Sequence, residues 1–186
     1  MSVNLIIDLF LEKGKPTTDV LGKYVKLLGY IILPFVILMK TPYVQGNFNP
    51  KIVIGIFILI WTNDTFAYIV GKSIGRHKLF EKISPKKTIE GFIGGMIFTL
   101  LISYLLSIYF DFFSPSVWIS TGFIVSIFGT VGDLVESRFK RLAGVKDSGK
   151  IMPGHGGILD RLDSVIFVIP FLYLFYQILN YVHTVS

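Results

Sequence analysis

Residues Gly91 to Phe110 read GFIGGMIFTLLISYLLSIYF, twenty positions without a charged side chain. A helix of that length rises about 30 Å, the thickness of bilayer hydrocarbon. In that solvent the backbone can be satisfied only internally, so the stretch reads as a membrane-spanning helix. Three more stretches read the same way: Ile52 to Val70, Val117 to Val135 and Ser164 to Val182. A fifth, Leu21 to Met39, carries Lys23 and Lys26 near its start and Pro34 inside. Lysines can snorkel to the interface and bilayer helices tolerate proline, so it counts as a weaker span. Composition agrees, with 52% hydrophobic and 16% charged residues in 186 and a mean hydropathy of +0.66, where soluble domains carry nearer a quarter charged. The expected fold is all-α: a polytopic membrane helical bundle of about five transmembrane helices with cytoplasmic basic loops.

Orientation follows from the eighteen Lys and Arg residues. With five spans, one side receives the basic residues of the N-terminal segment, those between Lys72 and Lys87, and those between Arg138 and Arg161. The other side receives only Lys40 and Lys51. The positive-inside rule then puts the basic loops in the cytoplasm and the C-terminus outside. The net charge of +6 reads as topology and attraction to anionic membrane lipids, not as a sign of nucleic acid. There is no cysteine, hence no disulfide framework and no thiolate metal site. Residues 1–20 read as an amino-terminal interfacial segment or the remnant of a longer region, because the apolar run Val3 to Leu11 carries Asp8 and has no cleavage signature after it. Residues 21–186 form one membrane-embedded domain.

Carboxylates inside spans are costly and mark candidate sites. Asp133, with Glu136 just after it, lies near the cytoplasmic end of its span, and Asp64 sits deeper. Asp64 has two readings, a hydrogen bond to a neighbouring helix or a direct role in a site. Gly91 and Gly95 predict close helix packing. Gly71-Lys72-Ser73 is not a phosphate loop, because Phe66 stands where the first glycine is required. In the loop from Gly71 to Gly91, Ser84 before Pro85 predicts a helix start. Lys86 and Lys87 would then stand beside a positive helix end that attracts phosphate.

A second loop lies between the last two spans. If the final helix begins near Ile158, Asp160 and Asp163 share a face of its first turn, and Asp133 can complete a carboxylate cluster from two helices. The alternative for the pair is helix capping plus a salt bridge to Arg161. An all-oxygen cluster suits a hard cation, and Mg²⁺ shared with substrate phosphates is the natural ion. Lys140, Arg141, Lys146 and Arg161 surround it as cationic partners, beside a glycine-rich turn able to present amides to an anion. These are the parts that phosphoryl transfer requires. His77 and His183 read as solvated.

The spaced residues Ser137-x-Phe139-Lys140-Arg141, Lys146-Asp147, Pro153-x-His155-Gly156-Gly157 and Asp160-Arg161-x-Asp163 resemble the signature of the phosphatidate cytidylyltransferase (CDP-diacylglycerol synthase) family. Asn63-Asp64-x-Phe66-Ala67-Tyr68 leading to Gly71-Lys72, and Ser84-Pro85-Lys86-Lys87-Thr88-x-Glu90-Gly91, agree with the same family. The resemblance covers roughly Leu27 to the C-terminus; Met152 stands where the family usually has Leu, Ile or Phe. It implies the reaction of CTP with phosphatidate to give CDP-diacylglycerol and pyrophosphate, in the bacterial inner (cell) membrane with the site facing the cytoplasm. It also implies Mg²⁺, with K⁺ as a second ion, on Asp133, Asp160 and Asp163. Lys140, Arg141, Lys146 and His155 are the expected phosphate contacts, and Asp147 is expected to position a basic neighbour. Ser137, Arg161, Lys86, Lys87 and Asp64 join the substrate-binding set, and a homodimer is the assembly considered. Members commonly carry several further membrane helices before the region matching Leu27, so a shortened member or a fragment is expected here. Three rivals stand beside this reading: an ion pathway, a CTP-using lipid kinase, and a subunit that only binds lipid or a partner.

Overall fold

The computed structural model describes residues 28–44, 47–81, 83–142, 144 and 159–185. A π-helical turn, Leu28–Ile32, leads into α1, Leu33–Lys40. Pro34 has no N–H to give the ladder, and a widened turn beside a proline is a common way to absorb that loss. A short antiparallel pair follows, β1 (Tyr43–Val44) with β2 (Asn47–Phe48). Four long helices come next: α2, Pro50–Ile74; α3, Ile89–Tyr109; α4, Pro115–Leu142; and α5, Leu159–Val185. Between α2 and α3 lies a hairpin of β3 (Lys78–Phe80) and β4 (Ser84–Thr88).

All four long helices are long and apolar enough to cross a membrane, as the apolar runs predict, and the chain is a polytopic helical membrane protein. Described helix in the fifth expected span begins at Leu28, so residues 21–27 of that span lie outside the described residues. Two boundaries differ from expectation. Gly71 and Lys72 belong to the last turn of α2, not to a loop. α4 runs on to Leu142, so Asp133 stands more than two turns inside its helix rather than near its end.

The start of α3 is a larger correction. Ser84-Pro85 does not begin a helix; it opens strand β4, and Thr88 is the cap of α3, its side chain accepting from the Gly91 N–H at 3.1 Å. Three physical reasons favour this choice. The residue before proline is driven towards extended backbone. Lysines at 86 and 87 in a first helical turn would oppose the helix dipole, whereas Thr88 followed by Glu90 suits it. The edge of a two-stranded hairpin also tolerates Pro85.

α3 packs against α2 and α4, α4 against α5, and α1 against α5. Small residues set the α2–α3 distance. A Cβ at Gly91 would lie 2.6 Å from the Ala67 carbonyl oxygen and 3.1 Å from the Gly71 Cα, and one at Gly95 would lie 2.9 Å from the Asn63 carbonyl oxygen. The expected close packing at Gly91 and Gly95 is thus observed, and Phe66 stacks on Phe98 beside it with ring centroids 3.9 Å apart. At the opposite end of the bundle Trp118 is fully buried against Gly55 and donates to the Phe110 carbonyl at 3.2 Å. Ile97, Leu101, Leu105 and Ile108 of α3 face outward. In water that stripe would be a large apolar patch; in hydrocarbon it is an ordinary outer surface.

Candidate active site

The chain reverses direction between successive long helices, so the C-terminal turns of α2 and α4 meet the N-terminal turns of α3 and α5 at one end of the bundle. A cavity of about 690 Å³ lies there. From α2 it takes Asn63, Asp64, Ala67, Tyr68, Gly71 and Lys72, a set with three- and four-residue spacings that make one helix face. α4 contributes Thr130, Asp133, Glu136 and Lys140 by the same rule, and α5 adds Asp163 and Ser164. The hairpin covers one side with Lys78, Leu79, Pro85, Lys86, Lys87 and Thr88.

Asp133, Glu136 and Asp163 bring carboxylate oxygens within 4.8 Å of one another. Gly132 makes this possible: a Cβ there would lie 2.6 Å from the Cβ of Phe167 and 3.3 Å from the Asp163 carbonyl oxygen, so α5 can approach α4 only over hydrogen. One Asp163 carboxylate oxygen accepts the Ser164 N–H at 2.6 Å, and Ser137 donates to Asp133 at 3.4 Å. Among the described residues two ammonium groups answer the cluster. Lys140 reaches back one turn to Glu136 at 2.7 Å, and Lys87 reaches from β4 to Asp133. Glu136 is 4% exposed; a carboxylate so deep requires such a partner.

The hairpin that delivers Lys87 is held at three points. Thr88 is buried in a socket of glycines, since a Cβ on Gly71, Gly75 or Gly91 would each come within 3 Å of its hydroxyl oxygen. Glu90 accepts the Arg76 N–H at 3.1 Å and the His77 N–H at 3.2 Å, and pairs with the His77 Nδ1 at 2.6 Å. His77 is exposed as expected, but it is tied to Glu90. Leu79, Phe80 and Ile83 pack on the buried cluster of Leu134, Val135 and Phe167.

Of the sequence-predicted residues, Asp64, Asp133, Asp163, Lys86, Lys87 and Lys140 therefore line one cavity. Ser137 touches Asp133 instead of lining that space, and Arg141 stands exposed near the end of α4, outside the lining. Lys146, Asp147 and His155 lie outside the described residues, as do the side chains of Asp160 and Arg161 in the first turn of α5. Among the described residues Glu136 is the third member of the cluster beside Asp133 and Asp163. Its signal was present in the sequence, three residues after Asp133 and four before Lys140. Lys72 and Lys78 also line the cavity; Lys72 stood in the family resemblance without a site role, and Lys78 was read only as topological charge.

The donor set fits a hard divalent cation: three carboxylates, with no sulfur or imidazole among them. An acidic cluster with lysines beside it, in a cavity at one end of a bundle of apolar helices, marks the chain as a polytopic helical membrane protein with a charged site. The chain belongs to the cytidylyltransferase family, whose model matches residues 1–179. It is 58% identical over 118 residues to a protein named phosphatidate cytidylyltransferase from Staphylococcus aureus (strain COL), an overlap of 62% of this chain and 45% of that relative. Proteins of the same name from Staphylococcus haemolyticus (strain JCSC1435) and Staphylococcus epidermidis (strain ATCC 35984) are 55% and 51% identical over the same shares. The chain spans about half the length of the curated relatives it matches.

Proposed function

We propose that the chain transfers the cytidylyl group of CTP to phosphatidate, giving CDP-diacylglycerol and pyrophosphate. The observation that carries this reading is the meeting of Asp133, Glu136 and Asp163 with Lys87 and Lys140 in one cavity at the end of a membrane bundle. A phosphate oxygen of phosphatidate attacks the α-phosphorus of CTP, and the bond from that phosphorus to the β-phosphate bridging oxygen breaks. Both substrates are anionic, so the first requirement is charge neutralisation without a covalent intermediate. Lys72, Lys78, Lys86 and Lys87 line the cavity walls and supply it. Asp133, Glu136 and Asp163 would hold Mg²⁺, which when bound supplies further neutralisation of the phosphates; K⁺ is proposed as its companion ion. Tyr68 and Phe92 give the cavity an apolar flank suited to the glycerol end of a lipid. The lysine-rich end faces the cytoplasm of a bacterial cell membrane in this reading, supported by the lopsided distribution of Lys and Arg.

The test is conversion of labelled CTP into chloroform-extractable lipid by the purified chain, with phosphatidate and Mg²⁺. Cytidylyl label in the lipid with release of pyrophosphate is expected, and Asp163→Asn should lower the rate by about 100-fold or more, the scale of losing a group that acts in the transition state. Release of CDP instead, or an Asp163→Asn rate equal to the parent, sinks the proposal.

A further inference from the structure

The two ammonium groups at the carboxylate cluster are held differently. Lys140 and Glu136 sit one turn apart on α4, so their pair moves as one body. Lys87 comes from another element. Its backbone is fixed by the neighbouring Thr88 in its glycine socket, but the charge sits on a flexible four-carbon stem with three rotatable donors. Its contact with Asp133 places a positive charge on a carboxylate of the candidate cation site. A divalent ion among the same oxygens and that ammonium group would repel each other at short range in a poorly screened setting.

We propose that Lys87 is an exchangeable counterion. It neutralises Asp133 until a divalent cation takes the carboxylates, and is then displaced into the cavity, where it binds a substrate phosphate. The inference rests on the reading of Asp133, Glu136 and Asp163 as a cation site. The anionic nucleotide then meets a free Lys87 only after the carboxylates have been neutralised. By linkage, cation and nucleotide each tighten the binding of the other.

Lys86 provides the control. It is the neighbour of Lys87 on β4 and lines the same cavity, yet it has no ion pair with the cluster among the described residues. Mn²⁺ binding to the purified full chain, followed by electron paramagnetic resonance without nucleotide, should tighten by about tenfold in Lys87→Met, the release of a competing contact worth about 1.4 kcal/mol. Lys86→Met should change it by less than about twofold, and Lys87→Arg, which keeps the charge, should stay near the parent. A second measurement avoids substitution: acylation of the Lys87 amine in the parent chain, read by mass spectrometry, should rise when Mn²⁺ is added. Unchanged or weaker Mn²⁺ binding in Lys87→Met, equal tightening in Lys86→Met, or Lys87 acylation indifferent to Mn²⁺ would each overturn the exchange. If Mn²⁺ binding is lost in Asp163→Asn yet untouched in Lys87→Met, the exchange alone falls. If the parent binds no Mn²⁺, the cation site falls with it.

Discussion

Gly129 and Gly132 lie three residues apart on α4 and both face α5, so replacing each with alanine isolates packing from every other effect. Both variants gain about 1 kcal/mol of helix propensity, the glycine penalty being common to them. At Gly129 a Cβ would meet the Val168 Cγ2 at 3.7 Å and the Ser164 Cβ at 3.9 Å, ordinary contact distances. At Gly132 it would meet the Phe167 Cβ at 2.6 Å, an atom fixed to the backbone of a helix. Phe167 is 1% exposed and cannot swing away without moving α5. Overpacking of that kind costs about 1–3 kcal/mol. Gly129→Ala should therefore be stabilising and Gly132→Ala less stable than it by that amount. For a chain of this size each kcal/mol moves Tm by about 2–4 °C, so the two melting points should differ by about 6 °C at the middle of the range. Differential scanning fluorimetry in one detergent measures the gap. Gly132→Ala should also weaken divalent cation binding, because separating α4 from α5 separates Asp133 from Asp163. Equal melting points, or a higher one for Gly132→Ala, would refute the close-approach argument.

Thr88→Val keeps the shape that fills the glycine socket but removes the acceptor for the Gly91 N–H; it should cost about 1 kcal/mol, the worth of a helix cap, read as a lower Tm. Glu90→Gln should loosen the hairpin by weakening the charge-assisted contacts to Arg76 and His77, seen as faster tryptic cleavage between Lys78 and Lys87 and a higher KM for CTP. Tyr176→Phe removes the buried hydroxyl contact to Thr121 at 3.1 Å, while Thr121 retains the Val117 carbonyl. It should lower stability by about 1 kcal/mol and leave CTP turnover unchanged, since it lies far along α5 from Asp163; a loss of turnover at full stability would contradict that separation.

The uncharged run Gly91 to Phe110 was enough to specify a spanning helix, because hydrocarbon leaves the backbone no other way to pair its polar groups. The same logic located three further spans, and the cost of an intramembrane carboxylate singled out Asp64 and Asp133 before any coordinates. Gly91 and Gly95 announced a close helix contact by their spacing alone. Which groups meet was another matter. Asp64, Asp133, Glu136 and Asp163 come from three helices, and a sequence carries no record of which helix faces are opposed. Glu136 was visible beside Asp133, but its place in the cluster depends on the approach of α5 over Gly132. The hairpin was misread because Ser84-Pro85 is locally a good helix start, and what overrode it was non-local: the pairing of Lys78–Phe80 with Ser84–Thr88, and the glycines of two helices closing around Thr88. Local propensity and hydropathy set what each segment is. Only packing decided that Lys87 would reach Asp133, because that contact joins a hairpin to a helix more than forty residues away in sequence.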